Sequence, residues 1–224
     1  MRSLVLVAAG GLAREALTVV DAAGRHDCVV AVDDDPRRWG RDLAGRRLGD
    51  PTGAMVIGGI DQLADLTTSE VVVCAGRGST RRTLVGRLAR LGVTADRYAR
   101  LLHPGVPVPA SCTVGPGSVV LAHVSLTSDV QVGAHVVLMP QVTLTHDDVV
   151  DDYATLCAGV SLGGGVHVGS AAYVGMNASV HPGRTVGPGA TVGMGAVVLE
   201  DVPAGETWVG VPARPVRATA GARR

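Results

Sequence analysis

From Leu102 through Val108 and Val114 to Val192 and Val198, an aliphatic residue returns every six positions, and all seventeen are Leu or Val. An amphipathic helix repeats its apolar stripe at three to four residues and a strand alternates at two, so neither produces this run. Fixed-period self-similarity marks a repeat architecture, and a period of six belongs to the parallel β-helices. Gly often follows the aliphatic position, as at Val114-Gly115, Val132-Gly133 and Val174-Gly175. Two residues before the next aliphatic position stands a small or β-branched residue, as at Val124, Val130, Ala154 and Ala172. The pattern predicts short strands joined by Gly-assisted corners around a thin aliphatic core, with neighbouring coils about 4.8 Å apart. A slender prism has little room for rings, which accounts for 0 Phe, 2 Trp and 3 Tyr.

The rest of the composition narrows the class. With 224 residues the chain has length for one or two domains. Twenty basic residues, all Arg, balance twenty acidic ones, so no general affinity for nucleic acid or an anionic membrane is implied. Cys28, Cys74, Cys112 and Cys157 form no close-spaced pair, no charged-then-apolar leader is present, and no apolar run approaches membrane length. A cytoplasmic protein is expected.

Before the repeat the texture is different. Residues 3–9 read as an apolar strand, followed by Gly10-Gly11-Leu12-Ala13 and a helical pattern with Ala16, Leu17 and Val20 on one side. This is a degenerate glycine-rich strand-turn-helix, whose helix-start N–H groups can receive a phosphate and which equally serves as a packing turn. A second strand, Cys28–Val32, ends in Asp33-Asp34, where a dinucleotide-binding unit grips a ribose or base; a plain Asp-rich turn before Pro36 is the alternative. Two more strands, at Met55 and at Glu70–Cys74, and helices after Ile60 and over 79–91 complete a small parallel α/β domain. It is too short for a complete two-half dinucleotide fold. The expected organisation is an α/β domain over 1–99, an all-β parallel β-helix over 100–206 and an extended tail over 207–224.

The hexapeptide repeat, the Thr145-His146-Asp147 step inside it, the Gly-Val-Pro-Ala-Arg ending at 210–214 and the α/β domain in front together resemble the sialic-acid and bacillosamine-type sugar O/N-acetyltransferases of the hexapeptide acyltransferase superfamily. The resemblance covers nearly the whole chain. It implies a left-handed β-helix, a homotrimer, acetyl-CoA held between neighbouring prisms and a Rossmann-like front domain holding a sugar or sugar nucleotide. By the same resemblance His146 matches the general base, Asp147 the acidic residue that orients it and Gly164 a backbone donor near the acetyl group. Thr155, Met176 and Arg214 fall along the acetyl-CoA, and Gly10, Gly11, Leu12, Asp33 and Asp34 with the substrate. Two positions depart from the family: Thr155 stands where many members carry a second His, and Leu12 replaces a His in the glycine turn.

The repeat itself supports the site. If three hexads make one coil, residues eighteen apart stack, which puts Gly164 one coil beyond His146. An imidazole beside a bare backbone N–H is the minimal equipment for acyl transfer: the first takes a proton from the attacking amine or hydroxyl, the second stabilises the oxyanion. Adjacent strand residues point to opposite faces, so a His146–Asp147 pairing requires a corner. Asp148 is a rival orienter; like Arg184 it occupies the slot filled by Val or Ala in most hexads, which reads as local exposure, and the family match favours Asp147. Direct attack in a ternary complex, without an acyl-enzyme, is expected. The remaining histidines, His103, His123, His135, His167 and His181, lack metal-site spacing and are expected at the surface or in subunit contacts; Cys112 and Cys157 read as small core or corner residues. Arg214 and Arg217 follow the last coil, within reach of coenzyme A phosphates or simply solvated. The expected activity is acetyl transfer to an amine or hydroxyl of a nucleotide-linked sugar. The alternatives are a tailoring acyltransferase on a free amino sugar, antibiotic or amino acid, and a non-catalytic trimeric scaffold.

Overall fold

The computed structural model of the chain describes residues 2–45 and 53–216. Four parallel strands open it: β1 (Ser3–Val7), β2 (Cys28–Val32), β3 (Met55–Gly58) and β4 (Glu70–Val73), in the spatial order β3-β2-β1-β4. Helix α1 (Gly11–Ala23) buries Leu12, Ala13, Ala16, Val19 and Val20 and ends on Gly24, whose left-handed φ of 59° returns its N–H to Val20. Helix α2 (Gly78–Arg90) packs on the other side of the sheet through Leu88. The helix expected after Ile60 is a single 3-10 turn, Ile60–Ala64. Only Ile60 and Leu63 there are buried, and a 3-10 turn aligns i with i+3, so one turn satisfies both.

Sixteen two-residue strands follow, from Leu101–Leu102 to Val197–Val198, and pair with strands eighteen residues away in three parallel sheets. The front face carries Val119, Val137, Thr155, Tyr173 and Thr191 in register; the second carries Ser125, Thr143, Ser161 and Ser179; the third carries Gln131, Val149, His167 and Thr185. These stacked parallel sheets fit a left-handed β-helix. Its repeat aliphatics and the small residues two places before them form one continuous core, closed by Trp208 on Val192. Val108 departs from the pattern: it is 36% exposed and forms no strand. Pro107 and Pro109 flank it, neither with an N–H for a ladder.

The corners differ from the sequence expectation. From Val114 to Val192 the left-handed residue comes three places after the aliphatic position, at Gly117, His123, Asp129, His135, Gln141, Asp147 and onward. Pro precedes it in Pro116-Gly117, Pro140-Gln141, Pro182-Gly183 and Pro188-Gly189, the residue pairing of a type II turn. The glycine directly after the aliphatic residue has a different task. A Cβ on Gly187 would lie 2.5 Å from Ala204 N, so bareness there lets the next corner approach.

α1 and the β1 side of the sheet share a second apolar core with Val119, Leu121 and Val137 of the front face. A buried arginine ties the same parts together. Arg81, in the first turn of α2 and 0% exposed, donates to Ala75 O and Gly76 O after β4 and to His135 O, Tyr153 O, Ala154 O and Thr155 Oγ1 on the prism, at 2.7–2.9 Å. Desolvation lowers its pKa to about 10, which leaves it charged at neutral pH. α2 can start this close because a Cβ on Gly78 would lie 2.0 Å from Tyr153 O.

His135 corrects the expectation of a surface histidine. It is 5% exposed, edge-on to Tyr98 at 4.6 Å and stacked on Tyr153 at 5.1 Å. Its corner faces outward, but Arg81 of α2 and Tyr98 cover it, and burial followed by the nearby Arg81 charge lowers its pKa to about 4.

Candidate functional site

His146 and Asp147 form the corner between the second and third faces. Asp147 has φ of 62°, a conformation its short polar side chain tolerates, and this turns its carboxylate back toward its neighbour. His146 Nδ1 lies 2.8 Å from Asp147 Oδ2, with the side chains 68% and 67% exposed. A proton on Nδ1 satisfies that contact and leaves the Nε2 lone pair free. One coil beyond, a Cβ on Gly164 would fall 2.3 Å from Nε2, so the ring rests on backbone that only glycine leaves open. Gly165 N–H donates to His146 O at 2.9 Å and joins the two corners.

Asp148, read as a locally exposed slot residue, is fully buried at 0%. Its oxygens accept the N–H groups of Thr145 at 2.7 Å and Val166 at 2.8 Å. Burial is the largest influence on its pKa, raised to about 6 against the pull of the two N–H groups. The slot stays closed because the carboxylate finds backbone donors at the corner. Arg184, in the same slot, is half-buried, and its Nη1 lies 3.8 Å from Asp201.

A separate cleft of about 610 Å³ opens where the front sheet meets the front face. Its walls include Gly11, Leu12 and Glu15 of α1, the segment 75–77, and Thr155, Cys157, Tyr173 and Met176 of the prism. Leu12, Thr155 and Met176, assigned by sequence to two ligands, therefore share one cavity. Thr155 is 3% exposed; its hydroxyl donates to Gly76 O and accepts from Arg81, so it offers the cleft chiefly its methyl group. Cys157 lies in this wall rather than in the prism core, its thiol bonded to the Tyr173 hydroxyl and pushed up in pKa by burial. Burial also raises Glu15. An adjoining recess of about 310 Å³ adds Ser79, Arg82 and Ser170 to Arg77, with Arg82 donating to Ser170 Oγ at 2.6 Å.

The acidic pair after β2 is engaged within the chain. Asp33 accepts from Ala9 N at 2.7 Å and Asp35 N at 2.8 Å, holding the turn in which Ala8 has φ of 72°. Asp34 accepts from Ile60 N and pairs with Arg87 at 2.5 Å. Gly10 caps α1 without a side-chain bond, so the helix start is open. Arg214 pairs with Glu200 at 3.3 Å beyond the last coil, and Arg217 lies outside the described residues.

Sequence reasoning did not find Arg81, Glu15 or Tyr173. Arg81 left one signal: it and Arg82 sit in the first turns of a helix, where the dipole disfavours cations, a local conflict that points to tertiary partners.

The residues come together in some places and stay apart in others. His146, Asp147 and Gly164 are adjacent; Leu12, Thr155 and Met176 are adjacent; the two groups are not. The cleft lies on the front face, and His146 rides the edge between the other two faces, the edge opposite.

No family model matches the chain, and no curated protein sequence matches it. Among solved structures, the acetyltransferase domain of PglB from Neisseria gonorrhoeae FA1090 superposes with a TM-score of 0.85 and 28% identity over 96% of this chain and 100% of its own. That domain is also known in complex with acetyl coenzyme A, at a TM-score of 0.82 and 28% identity over 96% and 99% of the two chains. A mutant perosamine N-acetyltransferase from Caulobacter crescentus, in complex with CoA and GDP-perosamine, gives 0.86 and 28% identity over 97% and 98%. These structure neighbours are hexapeptide-repeat sugar N-acetyltransferases, in agreement with the resemblance read from the sequence.

Proposed function

We propose that the protein transfers the acetyl group of acetyl-CoA to the amine of a nucleotide-linked amino sugar. The observation that carries this reading is His146, bonded to Asp147 through Nδ1 and set with its other nitrogen over Gly164. The perosamine N-acetyltransferase bound to CoA and GDP-perosamine supports an amine over a hydroxyl as acceptor. In the proposed step the amine nitrogen attacks the thioester carbonyl and forms the C–N bond. His146 Nε2 takes the amine proton, and a backbone N–H at Gly164 stabilises the oxyanion. Collapse breaks the C–S bond, and the imidazolium returns its proton to the leaving thiolate. Both substrates are present at once and no acyl-enzyme forms.

The site is completed by a second copy. His146 and Thr155 are half a coil apart, about half of the ~4.8 Å strand spacing in height, yet on opposite sides of the prism. Parallel prisms arranged in a ring bring the His146 edge of one to the cleft of the next, so we assign a homotrimer. Residues 1–99 form a Rossmann-like substrate domain, supported by the strand order β3-β2-β1-β4 and the strand-turn-helix at Gly10. Residues 100–206 form the acyltransferase prism, and the segment 207–216, expected as an extended tail, closes its end through Trp208 and Ala213. Gly10, Gly11 and Leu12 border the sugar nucleotide, and Arg77 and Arg82 supply charge for its diphosphate. Asp33 acts by holding the Ala8–Ala9 turn, and Asp34 by fixing its far side. Met176 and Arg214 line the acetyl-CoA path. A cytoplasmic location fits the four free cysteines.

The test is release of free thiol from acetyl-CoA by the full chain, with nucleotide-linked amino sugars, the same sugars without nucleotide, and nucleotide-linked sugars bearing only hydroxyls. Thiol release is expected with the first group alone. Preference for free amino sugars or hydroxyl acceptors, or no release with any, would contradict the reading.

A further inference from the structure

At the corner that carries His146 the regular ladder is broken, and one buried side chain replaces it. On the second face, the N–H following each aliphatic residue donates to the aliphatic carbonyl one coil on: Thr127 to Leu144, Gly163 to Val180, His181 to Val198. Thr145 departs from this. Its N–H donates to Asp148 Oδ2, and its hydroxyl takes the Leu162 carbonyl instead, at 3.1 Å. The strand pairing records the same break: Thr143–Leu144 pairs with Ser125–Leu126 at two positions but with Ser161–Leu162 at one. Asp148 Oδ1 reaches the next coil and accepts the Val166 N–H; the equivalent N–H elsewhere turns back within its own corner, as from Val160 to Cys157 and from Ala172 to Gly169.

We infer that Asp148 is a positioning residue for acetyl transfer, a buried strut that fixes the 145–148 corner against the 163–166 corner and so sets the His146 ring over Gly164. This rests on the assignment of His146 as base. Asp148 touches neither substrate in that reading; it grips the residue before His146 and the residue two beyond Gly164. Ser118 supplies an internal comparison. In the same slot of another corner its hydroxyl accepts the Val136 N–H at 2.9 Å, one coil on, but it makes no bond to its own corner's first N–H. The single grip is thus compatible with an ordinary corner, and the second grip belongs to the corner with His146. A coil needs neither, since Val130 and Val166 fill the same slot one coil before and one coil after with apolar side chains. A buried carboxylate is unfavourable unless its hydrogen bonds are made, so its presence among Val and Ala implies a task other than packing.

Asp148→Val installs the repeat's usual residue, and Asp148→Ser restores the single grip seen at Ser118. For the valine variant we expect kcat to fall about 10- to 100-fold, the range a misplacement near 1 Å produces, with KM for acetyl-CoA and acceptor little changed and thermal stability retained. The serine variant should recover part of the loss. Independently of turnover, the assigned ring resonances of His146 in two-dimensional NMR should shift and broaden in the valine variant. If the valine variant folds with unchanged kcat and unchanged His146 resonances, the inference is overturned. Should it fail to fold, the serine variant decides by the same two readouts. If instead His146→Ala keeps full turnover, the base assignment fails by itself, and the ring resonances still decide whether Asp148 positions that side chain.

Discussion

His146→Ala is expected to lower kcat by about 10²- to 10⁴-fold, the usual contribution of a positioned general base, while acetyl-CoA binding stays nearly intact. The separation follows from the geometry. The imidazole is largely exposed, bonded only to Asp147 through its side chain, and its removal leaves an open corner rather than a cavity. The Gly165 N–H to His146 O bond that joins the corners is backbone and survives. Folding is therefore untouched, and only the proton transfer is lost. A variant with wild-type kcat would remove the base assignment, whatever it did to KM.

Arg81→Met should destabilise the protein by at least about 3 kcal/mol, the sum for three buried carbonyls left without a donor. The methionine fills most of the volume, but the carbonyls of Ala75, His135 and Tyr153 lose their donor at once, and buried acceptors without partners are each unfavourable by about 1–3 kcal/mol; Gly76 O keeps the Thr155 hydroxyl and Ala154 O the Val137 N–H. Arg81→Lys should rescue little, because three ammonium donors on a point cannot reproduce a planar fork serving two parts of the chain. The same change reaches the cleft. Arg81 fixes the carbonyl of Gly76 and the hydroxyl of Thr155, both on the cleft wall, so KM for the acceptor should rise in conditions where the variant remains folded. Thermal denaturation followed by circular dichroism measures the first effect; a midpoint within a degree or two of wild type would exclude the clamp.

The repeat was legible because a period is a property of sequence alone. Its eighteen-residue register also placed Gly164 beside His146 before any coordinates did, since stacking in a prism is as regular as the pattern that produces it. The corners were legible only in part. Glycine after the aliphatic residue is conspicuous, yet the left-handed residue lies two places later and is as often His, Asp, Gln or Tyr as Gly, so composition hides it. Asp148 was misread for a related reason. A carboxylate in an apolar slot suggests exposure unless the backbone N–H groups that donate to it are known, and those come from residues three before and eighteen after. His135 and Arg81 depend on how the front sheet docks against the prism, a relation between segments 54 to 74 residues apart that no local pattern encodes. The acidic pair after β2 was visible as a motif, but its bonds to Ala9, Asp35, Ile60 and Arg87 emerge only from the packed turn.

If His146 of one copy serves the cleft of another, as proposed, two inactive variants should complement each other when mixed. His146→Ala lacks the base but keeps its cleft. Thr80→Trp keeps the base and fills the cleft that Thr80 borders. Each alone should be inactive toward a nucleotide-linked amino sugar. Co-expressed and purified as mixed assemblies, they should regain acetyl transfer, because some contacts then join an intact histidine to an intact cleft. Mixed assemblies verified by mass spectrometry that remain as inactive as either parent would contradict the shared site.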